Sequence, residues 1–343
     1  MRFRWMFGCC VFLVLLCAWL TLFPTFRRFP VSSQTRIGIP LLLPIGRARL
    51  VSGGMSQCQI LSACWSSQGG EITVIPLRSP TLPPATHTNT SFIGGTCYWI
   101  VDPATPYPDE QERLLRAIGE LDAQGRRALG IILTHHHADH IGAARWLHGE
   151  IKAPIFAHPL TKDLLAGQLD VHVTLEDGDT LRGSKNYGDA WTVLHTPGHA
   201  SGHIALWNEM QSILVGGDMV ASTGTILVEP PDGHMATYIA QLKRLCDLGP
   251  RVIVPAHGEV IAAPVELLEH YIRHRLKREA KVLGKLSMTP QALQQITAAS
   301  YDDVPKSLHR LAEGSTHAHL IKLREEGRAH SLADGRWQIA PEA

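Results

Sequence analysis

Four side chains that can bind metal, His135, His137, Asp139 and His140, fall within six residues at the close of the apolar run I-I-L-T, and this stretch limits the fold more tightly than any other. Side chains two residues apart on an extended segment point the same way. His135 and His137 can therefore grip one ion while His136 faces elsewhere. Asp139 and His140 come where the chain turns into I-G-A-A-R-W-L-H, a helical pattern that re-aims them at a neighbouring position. The run thus requires a strand that ends in a turn into a helix, with room for ions beyond the strand end.

Three more candidates each close a strand-like segment: His199 in H-T-P-G-H, Asp218 in L-V-G-G-D and His257 in I-V-P-A-H-G. Singly, Asp139 would read as a helix N-cap, Asp218 as a turn residue, and His199 and His257 as loop histidines. Arriving in order, each at a strand end, these five histidines and two aspartates form a ligand set for two metal ions. Imidazole with carboxylate favours zinc, with iron or manganese as alternatives.

Strand-like and helical segments alternate around these residues, which predicts a mixed α/β class. I-T-V-I-P-L is a strand, T-L-P-P-A-T-H-T-N-T a proline-bounded loop, and S-F-I-G-G-T-C-Y-W-I-V-D a hairpin around Gly94 and Gly95. A helix with Leu114, Leu115, Ile118 and Leu121 on one face leads into the strand before His135. T-L-E-D-G-D-T-L reads as a hairpin turning at Asp177 and Gly178, and Met235 to Leu248 as an amphipathic helix. His87 and His158 take only structural readings. His203, in G-H-A-S-G-H, reads as a group supporting the metal ligands or donating a proton to the leaving group, or else as a histidine bonded to backbone at the start of the next strand.

T-H-H-H-A-D-H, T-P-G-H, G-G-D and P-A-H-G resemble the ordered motifs of the metallo-beta-lactamase fold superfamily. The resemblance implies a four-layer αβ/βα sandwich with a binuclear site at one edge. It also implies that His135, His137 and His199 hold a first metal, that Asp139, His140 and His257 hold a second, and that Asp218 bridges them. Two zinc ions so placed would hold a water between them and lower its pKa, making a bridging hydroxide the nucleophile, with Asp139 helping to orient it.

The ends of the chain differ from its middle. Trp5 to Phe26 is uncharged between arginines, and as a helix its 22 residues would span about 33 Å, enough to cross a bilayer. Residues 1–29 are read as a single-pass anchor or signal, placing the protein at a membrane, and 30–70 as a linker. The alternative is a cytoplasmic protein whose translation starts at an internal site such as Met55. The seven cysteines include no C-x-x-C pair, and their odd number argues against a disulfide framework.

Residues 71–263 read as the hydrolase domain and 264–343 as a small winged-helix-like domain: a long helix from Pro264, a helix starting at Thr289-Pro290, an amphipathic helix from Ser307 to Glu326, and a hairpin turning at Asp334 and Gly335. That order, with H-Y-I-R-H-R-L-K-R-E and A-H-L-I-K-L-R-E-E-G-R-A, resembles the branch of the mitochondrial beta-lactamase-like endoribonuclease and its bacterial relatives. The branch resemblance implies a phosphodiesterase acting on single-stranded RNA. The basic stretch from Tyr271 to Lys285 agrees with it, although the net charge of +1 gives no global case for nucleic acid. T-P-G-H-A-S-G-H-I also resembles glyoxalase II, which implies a thioesterase or other acyl hydrolase as the alternative. An iron-dependent sulfur dioxygenase and a non-catalytic nucleic-acid-binding protein are weaker readings, because the ligand set is complete for two metals.

Overall fold

Strand β4 (Arg127–Ile132), which delivers the first candidate ligands, lies inside a six-stranded sheet, and its neighbours explain why the site forms at the sheet's end. In a computed structural model describing residues 71–183 and 190–341, the spatial order is β1 (Glu71–Arg78), β2 (His87–Gly94), β3 (Cys97–Val101), β4, β5 (Ile155–Ala157) and β6 (Val173–Thr174). The pairs from β3 to β6 are parallel, so their C-terminal ends lie at one edge, where His135 emerges.

The second sheet has the order β11 (Val252–Pro255), β10 (Ile213–Gly217), β9 (Ile204–Asn208), β8 (Ala190–His195) and β7 (Thr180–Arg182). It is antiparallel except for the parallel β10–β11 pair, which sends Asp218 and His257 out at the same end. Parallel neighbours need a crossover. Helices α1 (Pro108–Ala123) and α5 (Met235–Asp247) supply those between β3 and β4 and between β10 and β11.

Apolar residues divide into layers that match this order. Val74, Ile93, Trp99 and Ile132 meet Trp191, Val193, Leu206, Val215 and Val254 between the sheets. The other face of the first sheet is covered by α1, through Leu114, Ile118 and Leu121, and by α3 (Ala144–Ile151), through Leu147. The other face of the second is covered by α5, through Tyr238, Leu242 and Leu245, and by the first half of α6 (Pro264–Leu283), through Leu268 and Tyr271. Helix, sheet, sheet and helix make the expected four-layer sandwich.

The far half of α6 enters a different core. Val282 packs with Ile296 of α7 (Leu293–Ser300), Leu320 and Leu323 of α8 (His309–Glu325), Ala329 of β12 (Ala329–Ser331) and Trp337 of β13 (Trp337–Ile339). This is the expected winged-helix unit, its hairpin turning at Gly335 with φ +80°. One helix therefore serves two cores.

Three local expectations are corrected. The segment His87-Thr88-Asn89-Thr90, expected in a loop, is the first half of β2, paired with β1 from His87↔Arg78 onward. Asp177-Gly178 does not turn a hairpin. It carries the chain between sheets, β6 pairing with β5 and β7 with β8. The helix expected at Thr289-Pro290 starts only at Leu293, because Gln291 exchanges two backbone hydrogen bonds with Trp337 and is held extended.

Cys97 and Cys246 are free thiols. Among the described residues no helix is long and apolar enough to cross a membrane. The expected anchor 1–29 and linker 30–70 lie outside the described residues.

Candidate metal centre

The β4 strand ends and the chain turns at once, so Thr134 to His137 form the lip of the sheet and α2 (Ala138–Ile141) begins immediately after His137. The expected neighbours converge. His135 Nε2, His137 Nδ1 and His199 Nε2 lie 2.9, 3.0 and 3.2 Å from one another. Asp139, His140 and His257 form a second group of possible metal ligands, with His257 Nε2 3.6 Å from Asp139 Oδ2. Asp218 stands between the groups. Its Oδ1 is 3.5 Å from His140 Nε2 and 3.3 Å from His257 Nε2, and its Oδ2 is 3.4 Å from His199 Nε2.

The other nitrogen of each ring decides which protons are present. Carbonyls and carboxylates only accept, so His199 Nδ1–H donates to the Leu227 carbonyl at 2.6 Å, and His257 Nδ1–H to the His87 carbonyl at 3.1 Å. His140 Nδ1–H donates to Asp102 Oδ2 at 2.8 Å. Thr134 Oγ1 donates to the same carboxylate and accepts from His135 Nδ1 at 3.0 Å. Each of these four rings therefore turns its Nε2 inward, and in the neutral ring that nitrogen carries the lone pair. The lone pairs of His135 and His199 face each other across 3.2 Å, which is repulsive unless a cation lies among them. His140 Nε2 and Asp218 Oδ1 are buried without a hydrogen-bond partner. The donor set fits divalent ions.

Electrostatics points the same way. Burial, with His140, His137 and His199 adding to it, holds His135 well below the usual histidine range. Burial and the neighbouring His199 and His136 bring His137 down to about 3. His140 is also pulled down by burial, but Asp218, Asp102 and Asp139 outweigh it and raise it well above that range. His135 and His137, held neutral, beside a second group rich in carboxylate suit the binding of cations.

His203 is buried, and both its nitrogens are engaged. Its Nε2 accepts from the Asp218 N–H at 3.0 Å, so its Nδ1–H donates to Thr196 Oγ1 at 2.8 Å. His136 stays at the rim rather than turning away entirely. Its Nε2 is 3.8 Å from Asp232 Oδ2, and it groups with His137 and Asp232. His158 caps α4 (Pro159–Leu164) and stacks on His195 at 3.9 Å, a structural role as expected.

Asp102 was not singled out in the sequence. It follows β3 at φ +50° and accepts from Thr134 N and Oγ1 at 2.7 Å each, as well as from His140. An aspartate before proline looks like an ordinary turn residue, so only the fold reveals it.

Gly198 in T-P-G-H is required twice over. Its φ is +134°, and a Cβ there would lie 2.4 Å from the backbone of Tyr238 in α5. We expect Gly198→Ala to destabilise the metal-free chain by about 2–4 kcal/mol through strain and overlap. A urea midpoint equal to that of the wild type would refute this.

Residues 83–257 match the family described as Metallo-beta-lactamase superfamily, and residues 292–337 the Beta-lactamase associated winged helix domain. The chain is 30% identical over 250 residues to the Beta-lactamase-like protein 2 homolog of Caenorhabditis elegans, covering 70% of this chain and 79% of that one. It is 27% identical over 271 residues to the Atrochrysone carboxyl ACP thioesterase of Aspergillus chevalieri, covering 74% and 81%. Among solved structures, a metallo-beta-lactamase family protein from Thermus thermophilus superposes with a TM-score of 0.64 at 25% identity, covering 78% of this chain and 98% of that one.

Proposed function

The chain belongs to the metallo-beta-lactamase superfamily, whose members are metal-dependent hydrolases, and from that premise we propose that it hydrolyses acyl thioesters with the help of two divalent ions, zinc before iron or manganese. His135, His137 and His199 would hold one ion and Asp139, His140 and His257 the other, with Asp218 shared. The observation that carries the metal reading is the convergence of inward-facing lone pairs with two buried, unpartnered acceptors. When bound, two such ions supply Lewis acidity and an activated water.

The protein's own residues do the rest. Asp139, at the start of α2, is the most exposed carboxylate of the set and is placed to orient a water. Asp102 holds His140, and the Leu227 and His87 carbonyls hold His199 and His257, so the ligands arrive pre-aimed. His203 fixes the Asp218 backbone and has no proton to give toward the site, which supports a positioning role over that of proton donor. Asp102→Asn is expected to weaken binding of the second ion by about 10–100-fold. Competition with a chromophoric chelator would measure it, and unchanged affinity would remove Asp102 from the design.

The choice of substrate rests on where the charges of α6 go. Arg275 and Arg278 are buried, Arg273 pairs with Glu269 at 3.1 Å, and Lys281 pairs with Asp302 and Asp303. Of the exposed cations of that stretch only Lys277 and Lys285 make no ion pair among the described residues, too few for a track along a phosphate backbone. The relative named as an acyl-carrier thioesterase adds support for a carbonyl substrate. Single-stranded RNA is the second reading, favoured by the winged-helix unit. The test assays the zinc-loaded full chain in parallel on acyl thioesters and single-stranded RNA, with Asp139→Ala as the blank. Thioester turnover lost in the blank supports the first reading. RNA cleavage alone replaces it with the second.

A further inference from the structure

We infer that Arg275, on the helix shared with the winged-helix unit, is a positioning residue for the first metal position, acting on His199 through the segment Thr225 to Leu227. The inference rests on the metal reading above. Arg275 is 3% exposed, and one face of its guanidinium lies 5.4 Å from the Tyr238 ring. Its Nη2 donates to the Ile226 carbonyl and lies 3.3 Å from Thr225 Oγ1. The next carbonyl along the chain, that of Leu227, accepts the proton that sets the tautomer and tilt of His199. Pinning the Ile226 carbonyl fixes the peptide plane it shares with the Leu227 nitrogen and leaves only φ and ψ of Leu227 between that plane and the Leu227 carbonyl.

Neighbouring contacts restrain the backbone around that segment. Tyr271, one turn before Arg275 on α6, bonds both the N–H and the carbonyl of Ala221 at 3.1 Å. From α8, Glu325 meets His234 Nε2 at 3.0 Å, and the His234 N–H donates to the Gly198 carbonyl at 2.7 Å, directly before His199. The backbone on both sides of His199's environment is thus tied to helices that also belong to the winged-helix core. Tyr271 leads instead toward the second group, since the N–H of Ser222, next to Ala221, donates to the His257 carbonyl at 3.2 Å, whereas Arg275 bonds only Thr225 and Ile226. The effect of Arg275 should therefore be selective for the first position.

The experiment loads the full chain with two equivalents of zinc and follows stepwise release to a chelator in the wild type, Arg275→Gln and the surface control Arg273→Gln. The expected result for Arg275→Gln is release of one equivalent at a chelator concentration about 10–100-fold lower, the other unchanged, as for loss of an outer partner of a ligand. The surface control should match the wild type. Equal weakening of both equivalents, or wild-type release of both, overturns the inference. A chain that binds no metal at all instead overturns the metal reading beneath it. Linkage is reciprocal, so the wild type gives a second measurement if Arg275→Gln does not fold. Metal should slow amide exchange in α6 around Arg275 relative to α7, and equal exchange with and without metal would count against the coupling.

Discussion

Asp218→Ala is expected to lower kcat/KM by about 10³-fold or more and to reduce bound metal from two equivalents to one or fewer. Loss of the stabilisation a metal gives to developing charge amounts to several kcal/mol, and about 4 kcal/mol corresponds to roughly 10³ in rate. The size follows from position. Asp218 alone faces both groups, one oxygen toward His140 and His257 and the other toward His199, whereas Asp139 reaches only the second group. Its aim is set from behind by His203, which receives the Asp218 N–H. Burial alone would raise the pKa of Asp218, but His257 and His140 outweigh it and hold the carboxyl well below the usual range, so it is charged at any working pH. Asp218→Asn keeps the shape and loses the charge, and should fall between alanine and the wild type. Metal content by elemental mass spectrometry beside the rate decides the matter. Full metal content with full activity in Asp218→Ala would remove this residue from the centre.

The clustering of the candidate ligands was legible because metal binding demands particular side chains at particular strand ends, and histidines at such spacing have few other reasons to recur. The carbonyls of Leu227 and His87 were not legible, since any residue supplies a carbonyl and only the fold brings these two behind His199 and His257. Asp102 was hidden for a related reason: its partners, Thr134 and His140, are 32 and 38 residues away. The misread elements have physical causes too. Thr289-Pro290 carries a sound local helix signal, but the pairing of Gln291 with Trp337 outweighs it. The basic helix is the most instructive. Leu268, Tyr271, Arg275, Arg278, Glu279 and Val282 recur at helical spacing and are all buried, so the stripe facing the cores runs through two arginines. Counting charges along the chain suggested a nucleic-acid face; sorting them by period would have shown that two of the six positive charges point inward.

That same stripe sets the largest expected effect on stability. Glu279 is 4% exposed where α6 crosses α8, with Lys322 Nζ at 2.9 Å, His319 Nδ1 at 3.6 Å and Arg328 Nη1 at 3.7 Å. Glu279→Ala would leave Lys322 with only Glu326 and the buried His319 without its acidic neighbour, and removing one partner of a buried pair costs about 3–5 kcal/mol. The small core around Val282, Leu320, Leu323 and Trp337 has little else to offset such a loss. Replacing both partners by methionine should cost less than Glu279→Ala, because no charge is then stranded. The sign with pH follows from the same contacts. Burial raises the pKa of Glu279, but His319 and Lys322 outweigh it and leave it below the ordinary 4.5. Its contribution is therefore complete above that value and is lost as pH falls through the lower, folded-state value. Urea midpoints measured from pH 7 down into that range should fall less steeply in Glu279→Ala than in the wild type. Parallel curves would mean that the carboxylate is no better placed in the folded chain than in the unfolded one.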